Sequence, residues 1–519
     1  ERDMKRLKRL LAMVVSFALV ATTYCTPLFA VDAPDTYSCQ LYGEVTDAGE
    51  VVSKMVIDYG AAKKVTGVGL DTFTVHAKAS TEDIRQGTQD TSYGDYDLDR
   101  KIVKVEVEGQ YVNIYFNQSE GATLAYLSSG RNYPAELTYT VTQNKPVTLT
   151  AADGTVINDS YTGNYTCDNT VINAETAKFE SVKVKDGINY QYYDAGSADS
   201  LIVWFHGNGE GDYLSSGNNV AQMLANRGTV AWATDETQNI FGGAHVMAFQ
   251  APDTWYYAQN DGLLEKAYNE INEVIKAKNI DPDKVFVSGC SAGGYMTTRM
   301  LIAYPDLFAA AMINCPALDV ADARGGETPT DAELASIKNS DTAIWLVQGK
   351  TDSSVKPEDC SIRLFNALTD GQELITSEHK QDLNSDFTTS ETKDGKYKLS
   401  LYETVAVTDP STGASSNKLE FAEDYDQDGV ATLVQYSDHW SWIYTLNNNP
   451  KDAKGVSIMN WAAEYGKTAE QPTPAPVPET PADTPKTSVK TGDSVSLGLY
   501  AITTLAGLCG IALLKKRYN

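Results

Sequence analysis

The pattern of apolar and polar positions divides the chain into two kinds of structure. From 31 to 176, apolar residues recur at every second position in short runs that Gly, Asn and Asp separate. A period of two is typical of strands that bury one face. The clearest runs are Thr72–Ala77, Ile102–Val107, Tyr111–Phe116, Ala135–Val141 and Val147–Thr150. Because no helical stretch separates them, they predict an all-β sandwich that serves as a scaffold or binding module.

The pattern changes over 177–468. Leu201–Phe205, Val246–Phe249 and Ala343–Val347 are continuous apolar runs, as expected for strands buried on both faces of a parallel sheet. Between them, apolar residues recur at helical spacing from Leu263 to Ile275, and Val456–Tyr465 predicts a closing helix. Alternating strands and helices predict an α/β domain with a mostly parallel sheet flanked by helices.

Length and charge add two limits. The chain has 519 residues, 42% of them apolar, which is enough for two or three domains with sizeable cores. Its formal net charge is −27, so its surface repels nucleic acid, and we expect no nucleic-acid partner.

The first thirty residues have the composition of a secretion signal. A basic stretch, Met4–Arg9, precedes the apolar stretch Leu10–Ala21, and cleavage is possible after Ala30. We therefore expect 1–30 to be a signal peptide and the mature protein to be extracellular.

The end of the chain resembles a Gram-positive sortase signal. A proline-rich spacer covers 469–487, and 488–519 contains a short motif at Val489–Gly492, an apolar run at Val495–Leu514 and a basic end. Because the motif lacks the usual leucine-proline start, membrane retention is better supported than covalent wall attachment. We expect the protein to be attached to the cell surface of a Gram-positive-type bacterium, through its membrane or its cell wall.

Five cysteines remain between these two ends: Cys39, Cys167, Cys290, Cys315 and Cys360. Their spacing does not resemble a metal-binding knuckle. Cys39 and Cys167 bracket the predicted sandwich and could form a disulfide. The other three are typical of small buried apolar side chains.

The strongest chemical motif is Gly289–Gly293, which reads G-x-S-x-G with Ser291 at its centre. It follows a predicted strand and precedes a predicted helix, the context in which a sharp turn exposes a serine as a nucleophile. Glycines are needed on either side because the backbone approaches other chain segments closely there.

A second motif, His206–Glu210, follows the Leu201 strand. A glycine-rich turn there can direct the Asn208 amide toward an oxyanion, and the Ala292 amide can supply the second donor. His206 lies in this turn and precedes Ser291 along the chain, so we expect a structural role for it.

An acid and a base complete the predicted set. Asp352 lies just past a buried strand, where it can orient a histidine, although Asp341 and Asp359 are alternatives. Of the five histidines, His379 and His439 follow both the serine and the acid in chain order, and His379 lies in a polar, charged stretch, so His439 is the candidate base. Ser291, Asp352 and His439 are therefore the candidate catalytic residues.

With these motifs the region resembles an α/β-hydrolase. The likeness is to esterases related to polyhydroxybutyrate depolymerases and feruloyl esterases, some of which carry an immunoglobulin-like N-terminal domain. It is carried by HGNGEGD, GCSAGGYMTTRM, Ala251–Trp255 and Asp438–Trp442. The resemblance implies hydrolysis of carboxylic esters without a cofactor, on small-molecule or polysaccharide esters such as acyl or feruloyl esters. Trp255 and Trp440 could provide apolar walls for the substrate, or either could simply be a packing residue.

Two other functions stay open. A serine peptidase of the prolyl-oligopeptidase type would use the same three residues, although no propeller-like repeat precedes the α/β region. A non-catalytic surface adhesin would need none of them.

The stretch 370–430 is predicted to be an insertion. It is largely polar and separates two candidate catalytic residues, so it could lie over the pocket as a lid. Within it, Asp424, Asp426 and Asp428 resemble the start of a calcium loop, but Gln435 stands where that motif has a glutamate. A plain acidic turn is the favoured interpretation, and we predict no metal site.

Overall fold

The computed structural model describes residues 36–60, 62, 64–380, 386–405 and 437–466. The predicted signal peptide, spacer and anchor lie outside these residues, as do Asp424, Asp426 and Asp428. In the part of the chain that the structure describes, no helix combines the length and apolar character needed to cross a membrane.

The N-terminal domain consists of short strands. They are β1 (Thr36–Thr46), β2 (Gly49–Asp58), β3 (Lys64–Thr66), β4 (Phe73–Ser80), β5 (Tyr96–Asp99), β6 (Ile102–Glu108), β7 (Tyr111–Phe116), β8 (Leu124–Tyr126), β9 (Asn132–Pro134), β10 (Glu136–Gln143), β11 (Val147–Thr150), β12 (Val156–Tyr161) and β13 (Asn164–Ile172). Their sheets run in the orders β13-β1-β2-β7-β6, β10-β4-β5 and β12-β11-β3, and β8 pairs with β9 as a separate hairpin. The predicted all-β domain is confirmed, because the five predicted runs correspond to β4, β6, β7, β10 and β11.

Alternating burial explains why these residues form strands. In β4, Phe73, Val75 and Ala77 are buried, whereas His76 between them is exposed. Cys39 of β1 lies directly opposite Cys167 of β13. Both are free thiols in this structure, so the disulfide considered above is not formed here.

The C-terminal domain alternates strands and helices. Its strands are β14 (Phe179–Val182), β15 (Tyr190–Tyr193), β16 (Leu201–Phe205), β17 (His245–Phe249), β18 (Val285–Cys290), β19 (Ala310–Asn314), β20 (Ala343–Gly349), β21 (Leu374–His379), β22 (Phe387–Thr392) and β23 (Tyr397–Tyr402). Its helices are α1 (Ala221–Leu224), α2 (Asp235–Phe241), α3 (Leu263–Lys278), α4 (Ala292–Ala303), α5 (Asp331–Ser336), α6 (Ser361–Thr369), α7 (Trp442–Leu446) and α8 (Ile458–Tyr465).

These strands form one sheet in the order β14-β15-β17-β16-β18-β19-β20-β23-β22-β21. The strands from β17 to β23 in this order are parallel, and antiparallel pairs complete both edges. One face packs on α3, α4 and α6, and the other on α2, α7 and α8. Because both faces are covered, the central strands are apolar throughout. The predicted α/β domain with a mostly parallel sheet is confirmed.

The structure corrects one prediction about 370–430. Residues 374–379, 387–392 and 397–402 are β21, β22 and β23, which extend the sheet beside β20. They do not lie over the pocket, so the lid interpretation is wrong for these strands. Residues 406–436 lie outside the described part of the chain.

Candidate active site

Ser291 lies in the sharp turn between β18 and α4. Its backbone is strained, with φ 54° and ψ −116°. A Cβ on Gly289 would come within 2.5 Å of the Gly293 oxygen, and a Cβ on Gly293 within 2.0 Å of the Phe205 oxygen. Only glycine therefore fits at both positions, as the motif predicts.

The three predicted residues are joined by hydrogen bonds. His439 Nε2 lies 2.9 Å from Ser291 Oγ, and His439 Nδ1 lies 2.8 Å from Asp352 Oδ2. Ser291 and Asp352 are buried, and the histidine side chain is 14% exposed. The imidazole, which lies 148 residues beyond Ser291 in the sequence, thus links the hydroxyl to the carboxylate.

Asp352 is fixed from several directions at the end of β20. Its Oδ1 accepts hydrogen bonds from the backbone amides of Ser354 and Val355, at 2.9 and 3.0 Å. Its Oδ2 also accepts a bond from Gln348 Nε2 at 3.1 Å. These donors hold the carboxylate in the position from which it contacts His439. Of the three acids considered from sequence, this is the one hydrogen-bonded to His439.

His439 is held in a short 3-10 turn, Asp438–Trp440, that packs against the end of β20. A Cβ on Gly349 would lie 2.3 Å from the Asp438 oxygen, so glycine permits this close approach. Burial disfavours the imidazolium form of His439, but interactions with the Cys315 sulfur and the Asp352 carboxylate outweigh it. The pKa of His439 therefore lies well above its ordinary value of 6.5.

Asn208 and Ala292 are the first residues of their helical segments, the 3-10 turn Asn208–Glu210 and α4. Backbone N–H groups at such positions have no intrahelical partner, so both remain available as donors. The Asn208 side chain accepts a hydrogen bond from Thr254 Oγ1 at 2.7 Å, which fixes the turn.

His206 holds this turn in place through hydrogen bonds of both ring nitrogens. Its Nδ1 lies 2.5 Å from the Gly207 oxygen, and its Nε2 accepts the Ala251 amide at 2.9 Å. Burial lowers the pKa of His206 to about 3, so the ring is neutral at ordinary pH. The contacts agree with a structural role.

A cavity of about 390 Å³ opens above Ser291 and His439. Its other lining residues come from both domains: Ala48, Tyr126, Ser128, Ser129, Gly130, Asn132, Gly207, Asn208, Gly209, Glu210, Ala225, Asn226, Tyr256, Val320, Arg324, Ser354, Val355, Trp440 and Trp442. Trp440 lines the cavity, and its contact with substrate stays a prediction. Trp255 is fully buried and packs edge-on against Phe205 at 5.3 Å, so the prediction that it forms a substrate wall is wrong.

The sandwich contributes to the cavity through the β8–β9 hairpin (124–134), which sequence reasoning missed. Arg131 Nη2 lies 3.1 Å from Asp253 Oδ1. The Asn132 amide donates to Glu210 Oε1 at 3.4 Å, and the Tyr133 hydroxyl donates to Asp212 Oδ1 at 3.0 Å. Three consecutive residues thus attach the sandwich to the segments around Asn208. In sequence, 124–134 is a short apolar stretch followed by a polar turn, and nothing in it indicates these contacts.

Glu210 is a second group that sequence reasoning left without a role. It is 6% exposed, and burial raises its pKa to about 7, although the Asn132 hydrogen bond and the positive charge of Arg131 oppose this rise. Because Glu210 belongs to the Asn208 turn and its carboxyl group contacts Asn132, this group lies where the sandwich meets the turn.

The hydrolase sheet and the linked serine, histidine and aspartate place the chain among the serine hydrolases. Residues 219–393 match the prolyl oligopeptidase family, and residues 40–158 match the esterase Ig-like N-terminal domain. The two matches fall in the α/β domain and in the sandwich, respectively. A comparison with curated proteins finds no match.

Solved structures resemble this chain to different degrees. The crystal structure of a thermostable esterase superposes with a TM-score of 0.57 at 22% identity, over 82% of this chain and 99% of its own. An acetyl xylan esterase from Aspergillus awamori gives 0.32 at 18% identity, over 43% of this chain and 91% of its own. Oligopeptidase B from Leishmania major gives 0.32 at 10% identity, over 82% of this chain and 65% of its own. The first likeness supports the combination of both domains in one fold.

Proposed function

We propose that the chain hydrolyses carboxylic esters through an acyl-enzyme on Ser291. The observation that carries this proposal is the continuous set of hydrogen bonds from Ser291 through His439 to Asp352 at the floor of a cavity. The match of the sandwich to an esterase N-terminal domain supports an ester over an amide substrate.

In the proposed reaction each group has one step. His439 Nε2 removes the Ser291 proton while Oγ attacks the carbonyl carbon, because a serine hydroxyl is a weak nucleophile at neutral pH. The oxyanion of the tetrahedral intermediate accepts hydrogen bonds from the Asn208 and Ala292 amides. His439 then donates its proton to the leaving alcohol, and a water molecule activated by His439 releases the acid. Asp352 stabilises the imidazolium form throughout.

Acyl or feruloyl esters of plant polysaccharides, or similar esters, are the proposed substrates. The cavity is lined by hydroxyl and amide side chains as well as by Trp440 and Trp442, which suits a substrate with both polar and aromatic parts. A peptidase activity is the second candidate, because 219–393 match the prolyl oligopeptidase family.

Substitution of the catalytic residues tests the proposal. Ser291→Ala and His439→Ala are each expected to lower kcat on 4-nitrophenyl acetate by about 10³-fold or more, because each removes a group needed for nucleophilic attack. Ser160→Ala, on an exposed part of the sandwich, is the control. Near wild-type turnover in either variant would contradict the assignment. Higher kcat/KM on a dipeptide anilide than on the ester would favour the peptidase.

We also propose that the enzyme acts at the cell surface, on the basis of the leader, spacer and anchor patterns in the sequence. Protease treatment of intact cells is expected to release active enzyme by cutting the proline-rich spacer, whereas a cytosolic marker enzyme stays inside. Activity recovered only from the cytosol would refute this location.

A further inference from the structure

The cavity contains a guanidinium group that the proposed reaction does not use. Arg324 ends a short 3-10 turn, Asp322–Arg324, and its side chain lies over the Tyr256 ring at 5.6 Å. Within the described residues it forms neither an ion pair nor a side-chain hydrogen bond. Stacking on an aromatic ring leaves the N–H groups at the guanidinium edge available to a ligand.

The loop that carries Arg324 is firmly held. The Gly326 amide donates to the Ala321 oxygen at 2.9 Å, and the Asn260 side chain donates to the Gly325 oxygen at 3.0 Å. Gly325 has φ 82°, a conformation that favours glycine and ends the turn. The backbone beneath Arg324 is therefore fixed.

The β8–β9 hairpin supplies hydroxyl groups to the same cavity. Tyr126 lies between its own hairpin and the Asn208 turn, because a Cβ on Gly130 would be 3.3 Å from the Tyr126 hydroxyl and a Cβ on Gly209 would be 4.0 Å from its ring. Ser129 also lines the cavity. In the described part of the chain neither hydroxyl has a hydrogen-bond partner, so both can bind a ligand.

The acids near this group are engaged elsewhere. Glu210 accepts the Asn132 amide, and its other oxygen lies 3.8 Å from His206 Nδ1. Asp322 accepts the Thr328 amide at 2.6 Å. Among the described residues, Arg324 is thus a cation without a paired acid, at the cavity of a protein whose formal net charge is −27.

We propose that Arg324, together with the Tyr126 and Ser129 hydroxyls, binds a carboxylate on the ester substrate. The substrate class is esters that carry a free carboxylate in the acyl or the alcohol part, such as a uronic acid ester or the half-ester of a dicarboxylic acid. A guanidinium binds a planar carboxylate through charge-assisted hydrogen bonds. This inference rests on the proposed ester hydrolysis and names its substrate class.

Two matched pairs of esters test the subsite. Mono-4-nitrophenyl adipate and its methyl ester differ by one carboxylate in the acyl part, and 4-acetoxybenzoate and its methyl ester differ by one in the alcohol part. The measurement is the ratio of kcat/KM for the acid over that for the methyl ester, in the full chain. Arg324→Gln is expected to lower this ratio about tenfold or more for one pair, and Arg324→Lys less. Lys338→Gln, which removes an exposed cation outside the cavity, controls for net charge.

The outcomes separate the two proposals. A fall in the ratio with Arg324→Gln but not with Lys338→Gln supports the subsite, as does a wild-type ratio that falls with added salt. Ratios unchanged by Arg324→Gln in both pairs, while the methyl esters are still hydrolysed, overturn the subsite alone. If the wild type hydrolyses none of the four esters faster than Ser291→Ala, both proposals fail.

Discussion

At the scale of single residues, Cys315 influences the reaction through the catalytic base. Its sulfur, a carboxylate oxygen of Asp352 and a ring nitrogen of His439 all lie within 4.8 Å of one another. Cys315 follows β19, is fully buried and has a positive φ of 35°. A polarisable sulfur at this position favours the protonated form of the base.

This contact predicts the pH dependence of the reaction. His439 must be neutral to accept the Ser291 proton, and its pKa is raised, so the neutral form is lost as pH falls through a value above 6.5. We expect kcat/KM for 4-nitrophenyl acetate to rise with pH, with a midpoint above 6.5 after correction for spontaneous hydrolysis. Cys315→Ala should move this midpoint toward 6.5.

Cys167→Ala, in the sandwich, is the matched control and should leave the midpoint unchanged. If Cys315→Ala also leaves it unchanged, Asp352 alone sets the pKa of His439 and the role given to the sulfur is wrong.

The role of a residue was predictable where its neighbours in the sequence reveal the local backbone geometry. Gly289 and Gly293 mark the turn because any Cβ there would clash with backbone, so the motif identifies Ser291. Cys315 could not be predicted, since only the three-dimensional fold brings it to His439. Trp255 was misassigned because a tryptophan beside a motif has the same sequence signal in a core as in a pocket wall.

At the scale of elements, β22 and β23 show why polar composition misled the prediction. Lys398 is fully buried in β23, where its Nζ lies 3.1 Å from Glu391 and 2.8 Å from Asp452. Thr389 and Ser400 form a further buried hydrogen bond between the strands, at 2.8 Å. Polar side chains can be buried when they form hydrogen bonds and ion pairs with one another. A polar stretch can therefore be part of the sheet.

Removing this buried cation is expected to destabilise the fold. Lys398→Met leaves Glu391 and Asp452 buried without a partner charge, which should lower the free energy of unfolding by about 3–5 kcal/mol. Lys393→Met is the matched control, because Lys393 pairs with Glu373 where both side chains are more than half exposed. Urea denaturation of both variants measures the difference, and equal stabilities would show that the buried cluster contributes no more than the exposed pair.

At the scale of the whole molecule, the fold class of each domain was predictable, but the contact between the two domains was not. Alternation with a period of two and continuous apolar runs are both local signals. The first identified the sandwich, and the second identified the α/β domain. The attachment of Arg131, Asn132 and Tyr133 to the segments around Asn208 depends on how the domains meet. No local pattern records such a contact.

The sandwich should therefore affect turnover as well as stability. Tyr133→Phe removes a hydroxyl that donates to Asp212 and accepts the Leu214 amide, each at 3.0 Å. The segment after the Asn208 turn then loosens, and we expect kcat on 4-nitrophenyl acetate to fall severalfold with little change in KM. Tyr111→Phe, on the exposed part of the sandwich, is the control. Loss of stability with unchanged kcat would limit the contact to holding the domains together.

The attachment through β9 has a consequence for inheritance. Genes for modular enzymes exchange domains most freely when recombination falls between units that meet without specific contacts. Here Asn132 and Glu210 lie on opposite sides of the domain junction, yet their side chains are hydrogen-bonded to each other. A chimaera that takes its sandwich from one relative and its hydrolase from another should be active only if both parents carry compatible residues at these two positions. We therefore expect the two domains to be inherited together.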